Sequence, residues 1–149
     1  MAKQGLAISV RLPAAFLALI VGFFMLATVP SVEASVVDSG AWTKKQYKIK
    51  GDWELDVSGD QTIIRFNNNF KTKKGPDLKV FLSKKSVKDV TGRNATQDAV
   101  LVAVLKSNKG AQEYVLPANI DINDYESLLI HCEAFSVLWG GANFSHGIS

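Results

Sequence analysis

The segment Asp52–Phe66 reads DWELDVSGDQTIIRF and decides the fold class of this chain. Its first half alternates the apolar residues Trp53, Leu55 and Val57 with acidic residues, and a period of two is typical of a strand with one buried face. A Ser-Gly-Asp turn follows, and the run 62–66 returns as a partner strand. The segment therefore predicts an antiparallel hairpin.

The chain after this hairpin repeats the pattern of short apolar runs between turn residues. Further strands are predicted at 78–82, 99–105, 112–116, 127–132, 135–139 and 142–144. The run 99–105 is continuously apolar, which predicts a central strand, and Gly140-Gly141 predicts a bend. Seven to eight short strands with turns between them predict an all-β antiparallel fold over residues 46–145, a sandwich or a barrel. Residues 35–45 are expected to form a flexible arm or an edge strand.

The first 34 residues have the pattern of a secretory signal peptide. Lys3 and Arg11 precede the uncharged run AAFLALIVGFFMLATV at 14–29, and Val32-Glu33-Ala34 offers a small-x-Ala cleavage site. Sixteen apolar residues are few for a membrane span, where about 20 are usual. We therefore predict cleavage after Ala34 and a secreted or periplasmic protein. Only an uncleaved leader would attach the chain to a membrane.

The charge of the chain excludes few partners but gives no sign of nucleic-acid binding. Loss of Lys3, Arg11 and Glu33 with the leader lowers the formal net charge from +3 to +2. Such a small excess does not predict a nucleic-acid surface. The remaining lysines include two groups, which are either solvated loops or a surface that steers an acidic electron-transfer partner. The groups are Lys71, Lys73 and Lys74, and Lys84, Lys85 and Lys88.

Cys132 is the only cysteine, so an internal disulfide is excluded. In an oxidising compartment a lone thiol is a reactive group, a ligand for a metal or cofactor, or half of an intermolecular disulfide. The alternative is a small buried apolar residue. Strand alternation puts Cys132 on the same face as Leu128 and Ile130, and His131 on the opposite face. Cys132 and His131 are therefore not expected to act as a catalytic pair.

The histidines limit which cofactors Cys132 could help to hold. His131 and His146 are the two histidines of the chain. Structural zinc normally takes four Cys or His ligands, so a structural zinc site is not expected. Covalent haem needs a Cys-x-x-Cys-His sequence and is excluded. A non-covalent haem with Cys132 or a histidine as axial ligand stays open, and His131 is the weaker candidate. A chain without any prosthetic group is equally expected.

Three motifs in this order resemble the DM13 family. Residues 74–78 (KGPDL) resemble its Gly-Pro-Asp-Leu turn, and residues 110–117 (GAQEYVLP) its Gly-x-Gln-x-Tyr-x-Leu-Pro segment. Tyr125, Cys132 and Phe135 resemble its closing Tyr…Cys…Phe pattern. The resemblance spans about residues 47–144. It implies a β-sandwich with an extracytoplasmic electron-transfer role, in which Cys132 acts as a thiol or holds a prosthetic group.

Two functional hypotheses follow. Family members are often joined to haem-binding or cytochrome domains, so the resemblance implies that this single domain would work with a separate redox or cytochrome protein. The leading hypothesis is thus an exported redox or electron-transfer accessory domain centred on Cys132. The alternative is a non-catalytic extracellular binding or adhesion sandwich with Cys132 in its core. The sequence leaves open whether the chain is an enzyme.

Overall fold

The computed structural model describes residues 35–145, so the predicted signal peptide (1–34) and His146 lie outside the described residues. Within this range the chain is all-β, and no helix in it is long and apolar enough to cross a membrane. Eight strands have four or more residues and three have two. The strands are β1 (Ser35–Ala41), β2 (Thr43–Lys44), β3 (Ile49–Lys50), β4 (Asp52–Ser58), β5 (Gln61–Phe66), β6 (Lys71–Thr72), β7 (Leu78–Ser83), β8 (Ala99–Val104), β9 (Gln112–Val115), β10 (Ser127–Cys132) and β11 (Val137–Asn143).

The strands form two larger antiparallel sheets and one short ribbon. The first sheet has the order β1-β4-β5-β9, and the second has the order β2-β11-β10-β7-β8. Strands β3 and β6 pair as a two-stranded ribbon. The predicted hairpin is β4–β5, whose pairing runs from Trp53 opposite Phe66 to Ser58 opposite Gln61. Three short 3₁₀ turns complete the fold, at Val87–Asp89, Ile122–Asp124 and Glu133–Phe135.

The two larger sheets share one apolar core. Trp53 and Ile64 of the first sheet and Val80 and Ile130 of the second are fully buried in the same cluster. A second cluster covers the opposite face of the five-stranded sheet, where the segment 87–95 packs against it. All six residues of β10 are consequently buried. A strand covered on both faces needs apolar residues in succession, which explains the near-continuous apolar sequence of this strand.

Two predictions about strand positions need correction, and one choice between alternatives is settled. The run 99–105 is not central, because β8 lies at the edge of its sheet and pairs with β7 alone among the described residues. Its Leu101 and Val104 are 49% and 62% exposed, and an apolar run does not by itself distinguish a central from an edge strand. Residues 133–135 form a 3₁₀ turn, so the strand predicted at 135–139 begins at Val137 instead. Of the two alternatives for 35–45, the edge strand is present as β1.

The prediction that Gly140-Gly141 bends the chain is wrong, because both residues lie within β11. A Cβ on Gly140 would lie 2.6 Å from the Thr43 carbonyl oxygen and 2.6 Å from Ile49 Cγ2. The glycine therefore serves the close approach of β2 and β3 to β11. The pairing of β10 with β11 is irregular one residue earlier, at Trp139. Gly140 lies opposite Ile130 and Leu138 lies opposite His131, so Trp139 is a bulge.

Candidate functional site

Cys132 ends β10 and is fully buried. It lies opposite Leu78 of β7 on one side and Val137 of β11 on the other. Its side chain belongs to the shared core and has 0% exposure. Leu128 and Ile130 belong to the same core cluster, so the predicted face is confirmed. A thiol in such surroundings is shielded from reagents while the fold is closed.

The turn Glu133–Phe135 directly follows Cys132 and is exposed at its tip, where Phe135 is 67% exposed. Two contacts tie this turn to the start of β7. The Glu133 amide donates a hydrogen bond to the Asp77 carbonyl oxygen at 3.2 Å, and Lys79 Nζ donates to the Glu133 carboxylate. Asp77 belongs to the Gly-Pro-Asp-Leu motif, so the fold brings that motif and Cys132 to one place. This proximity is not predictable from the sequence, because the motif and Cys132 are far apart in the chain.

The Lys79–Glu133 ion pair yields a prediction about Lys79. The pKa of Lys79 is raised, chiefly by the hydrogen bond to Glu133; partial burial opposes the rise and Asp77 adds to it. Because the pKa is raised, the ion pair stabilises the fold fully at pH values below the ordinary pKa of lysine. This stabilisation is lost as the pH rises through the raised pKa. We expect Glu133→Gln to lower the pKa of Lys79, as measured by an NMR titration of its side chain. Asp77→Asn is the control and should lower it less, and an unchanged pKa in Glu133→Gln would contradict the assignment.

His131 lies on the face opposite Cys132, as predicted, and is buried. Its Nε2 donates to the Gly92 carbonyl oxygen at 2.9 Å, and its ring meets Phe81 edge-on with centroids 6.0 Å apart. Nδ1 has no hydrogen-bond partner among the described residues. His131 therefore has a structural role, because its hydrogen bond holds the loop that contains Gly92 against β10.

Gly92 in turn packs directly against the residue that ends the turn after Cys132. A Cβ at position 92 would lie 1.9 Å from the Ser136 carbonyl oxygen and 3.1 Å from Val137 Cα. Ser136 is in the left-handed region, with φ of 51°. We call the packing of Gly92 on Ser136, with its hydrogen bond from His131, the Gly92 contact. It fixes the backbone that follows Cys132 from the outer side of the sheet.

The residues around Cys132 do not fit a haem or a metal held between Cys132 and His131. The two side chains lie on opposite faces of β10, since Cys132 belongs to the shared core and His131 contacts Phe81 of the second cluster. Cys132 is not among the lining residues of four clefts that lie within residues 35–145. No group of three or more His, Cys, Asp or Glu in this range could hold a metal ion. His146, the second histidine, lies outside the described residues.

The Gln-x-Tyr motif serves the fold rather than a ligand. The Tyr114 hydroxyl donates to Gln112 Oε1 at 2.6 Å and accepts from the Lys106 amide at 3.0 Å. Gln112 Nε2 donates to the Ser107 carbonyl oxygen at 2.9 Å. Burial raises the pKa of Tyr114, and the Lys106 amide opposes this rise. These bonds fasten the loop before β9 to that strand.

Comparison with known protein families yields a match over most of the chain. A family model described as "Electron transfer DM13" matches residues 42–144, a range that includes Cys132 and all three motifs. No curated protein and no solved structure matches the chain. Because the family model covers more than half of the 149 residues, this chain belongs to the DM13 electron-transfer family.

Proposed function

We propose that this chain is an exported electron-transfer accessory domain that works with a separate redox protein, and that Cys132 is its reacting group. The family description supports the electron-transfer role. Cys132 also carries the one sulfur atom of the chain after residue 34. The proposal includes a β-sandwich, which two antiparallel sheets around one shared core support.

The position of Cys132 at the end of a strand is the observation that carries this proposal. The thiol is fully buried, yet the next residue begins a short turn with an exposed tip. Short turns open locally at a lower free-energy cost than whole sheets unfold. Opening of Glu133–Phe135 would therefore make the thiol reachable while the rest of the core stays closed.

In the opened state the chemistry is thiol–disulfide exchange with a disulfide of the partner. The Cys132 thiol loses its proton, and its sulfur attacks one sulfur of the partner disulfide. That disulfide bond breaks, a mixed disulfide forms, and the second partner sulfur leaves as a thiolate that takes up a proton. This chain has no second cysteine, so a thiol of another molecule must release the mixed disulfide.

One observation favours a second candidate function. Cys132 has 0% exposure within the core cluster, and a thiol in apolar surroundings is usually inert. This supports a non-catalytic binding or adhesion domain in which Cys132 only fills space. The two candidates differ in how the thiol becomes exposed, which is by opening of one turn or by unfolding of the whole domain.

Thiol labelling at increasing denaturant distinguishes the candidates. We expect native protein to react slowly with an aromatic disulfide reagent, at a rate that barely changes with denaturant below the unfolding transition, because opening one turn exposes little surface. Cys132→Ala is the control and should release no thiolate from the reagent. A labelling rate that rises with the full denaturant dependence of unfolding would show that Cys132 is a core residue and would overturn the redox proposal.

A further inference from the structure

Four lysines project from one face of the β3–β6 ribbon. Lys50 lies opposite Lys71, and the buried Ile49 lies opposite the buried Thr72. Because neighbouring residues of a strand point to opposite faces, Lys48 and Lys73 lie on the same side as Lys50 and Lys71. All four are exposed and line a cleft of about 370 Å³. We call these residues the lysine face: Lys48, Lys50, Lys71 and Lys73.

The charges of the lysine face are not balanced within the described part of the chain. Like charges directly opposite each other in an antiparallel pair destabilise it. Ion pairs among residues 35–145 involve Arg65, Lys79, Lys85 and Lys88 but none of the four lysines of the face. Lys109 forms an isolated bridge with Lys71 and adds a fifth positive charge beside them. The positive charges of these lysines therefore repel one another, and an anionic partner would reduce this repulsion.

An aromatic ring lies at the border of the lysine face. Tyr47 is partly buried, its ring centroid is 4.1 Å from that of Trp139, and Lys73 Nζ lies 4.9 Å from the centroid of the tyrosine ring. Trp139 belongs to the core cluster that contains Cys132. Protein interfaces commonly combine such an aromatic contact with a charged rim.

Resting on the proposed function, we propose that the lysine face and Tyr47 form the docking surface for an acidic face of the separate redox protein. Its charges are exposed lysines, which are flexible and strongly hydrated, and no arginine is among the residues that line the cleft. Such charges suit salt-dependent steering of a large acidic surface more than tight capture of a small anion. Tyr47 connects this surface to the core that contains Cys132, because its ring packs on Trp139 of that core.

Two triple variants with equal loss of charge test the docking surface. The probe is poly-L-glutamate, titrated into the protein at low and at physiological salt and followed by amide NMR. We expect Lys48→Gln/Lys50→Gln/Lys71→Gln to weaken binding by about tenfold, and added salt to weaken binding to the unmodified chain. The matched control, Lys84→Gln/Lys85→Gln/Lys88→Gln, should change binding by less than about twofold.

Tyr47 is tested with a second probe. A random copolymer of glutamate and tyrosine should bind more tightly than poly-L-glutamate, and Tyr47→Ala should remove that difference while circular dichroism confirms the fold. Equal weakening by both triple variants would mean that only net charge matters, and displacement of the polymer by inorganic phosphate at equal charge would indicate a small-anion site. Either result overturns the docking proposal.

The polymer titration is separate from the thiol test. It is repeated on Cys132→Ala, which keeps the lysine face and removes the sulfur. Binding should be unchanged in this variant, and altered binding would contradict a docking surface that is independent of the thiol. Failure of thiol labelling with intact polymer binding would reject only the redox role of Cys132, whereas the reverse outcome would reject only the docking surface.

Discussion

Gly92→Ala is expected to lower the free energy of unfolding by about 3 kcal/mol and to speed the labelling of Cys132 by about tenfold. The new Cβ would lie 1.9 Å from the Ser136 carbonyl oxygen and 2.9 Å from the Ser136 carbonyl carbon. Both are backbone atoms, so no side-chain rotation can relieve the contact. The loop or the turn after Cys132 must move, and movement of the loop would also strain the hydrogen bond from His131. Denaturant unfolding and thiol labelling measure the two effects.

Gly51→Ala is the matched control for this prediction. Gly51 has φ of +104°, and a Cβ there would lie 2.6 Å from Phe70 Cα. The substitution should destabilise the fold by a similar amount without touching the turn that follows Cys132. We therefore expect it to leave labelling under native conditions nearly unchanged. If both variants speed labelling equally, the thiol is exposed by global unfolding and the Gly92 contact does not control it.

Arg65→Met is expected to lower the free energy of unfolding by about 3 kcal/mol. Arg65 Nη1 forms an ion pair with Asp56, whose side chain is 1% exposed. Methionine keeps the apolar stem of the side chain but leaves the buried Asp56 carboxylate without its counter-charge. Removing one partner of a buried pair is costly because the other charge remains away from water. Urea unfolding at neutral pH measures the loss.

Two further variants identify the source of this effect. The double variant Asp56→Asn/Arg65→Met should be more stable than Arg65→Met alone, because no uncompensated buried charge remains. Arg65 Nε also donates to Glu113 Oε1 at 2.6 Å, but Glu113 is 58% exposed. Glu113→Gln should therefore cost less than about 1 kcal/mol. If Glu113→Gln costs as much as Arg65→Met, the exposed pair rather than the buried one stabilises the sheet.

The parts of the fold that follow from local alternation could be predicted from the sequence. The β4–β5 hairpin combines period-two strands with a Ser-Gly-Asp turn, and all of this lies within fifteen residues. The opposite faces of Cys132 and His131 follow from the same rule. The edge position of β8 could not be predicted from local alternation. An apolar sequence reflects what covers the faces of a strand, not how many neighbouring strands its backbone pairs with.

The surroundings of the candidate site depend on contacts between distant segments, so the sequence could not reveal them. Lys48 and Lys50 join Lys71 and Lys73 only through the pairing of β3 with β6, and strands of two residues have no detectable period. The partner of His131 is Gly92, thirty-nine residues earlier. The two lysine groups predicted from the sequence therefore lack Lys48 and Lys50, and the sequence does not predict the contact of His131 with Gly92.

The Gly92 contact also bears on how this domain can vary in evolution. A methyl group at position 92 has no room while the backbone at Ser136 keeps its present course. A natural relative that carries any side chain there should therefore have a turn of different length or conformation between its counterparts of Cys132 and Val137. Insertions in that turn and replacement of the glycine are expected to arise together, as a correlated pair of changes in an alignment of the family.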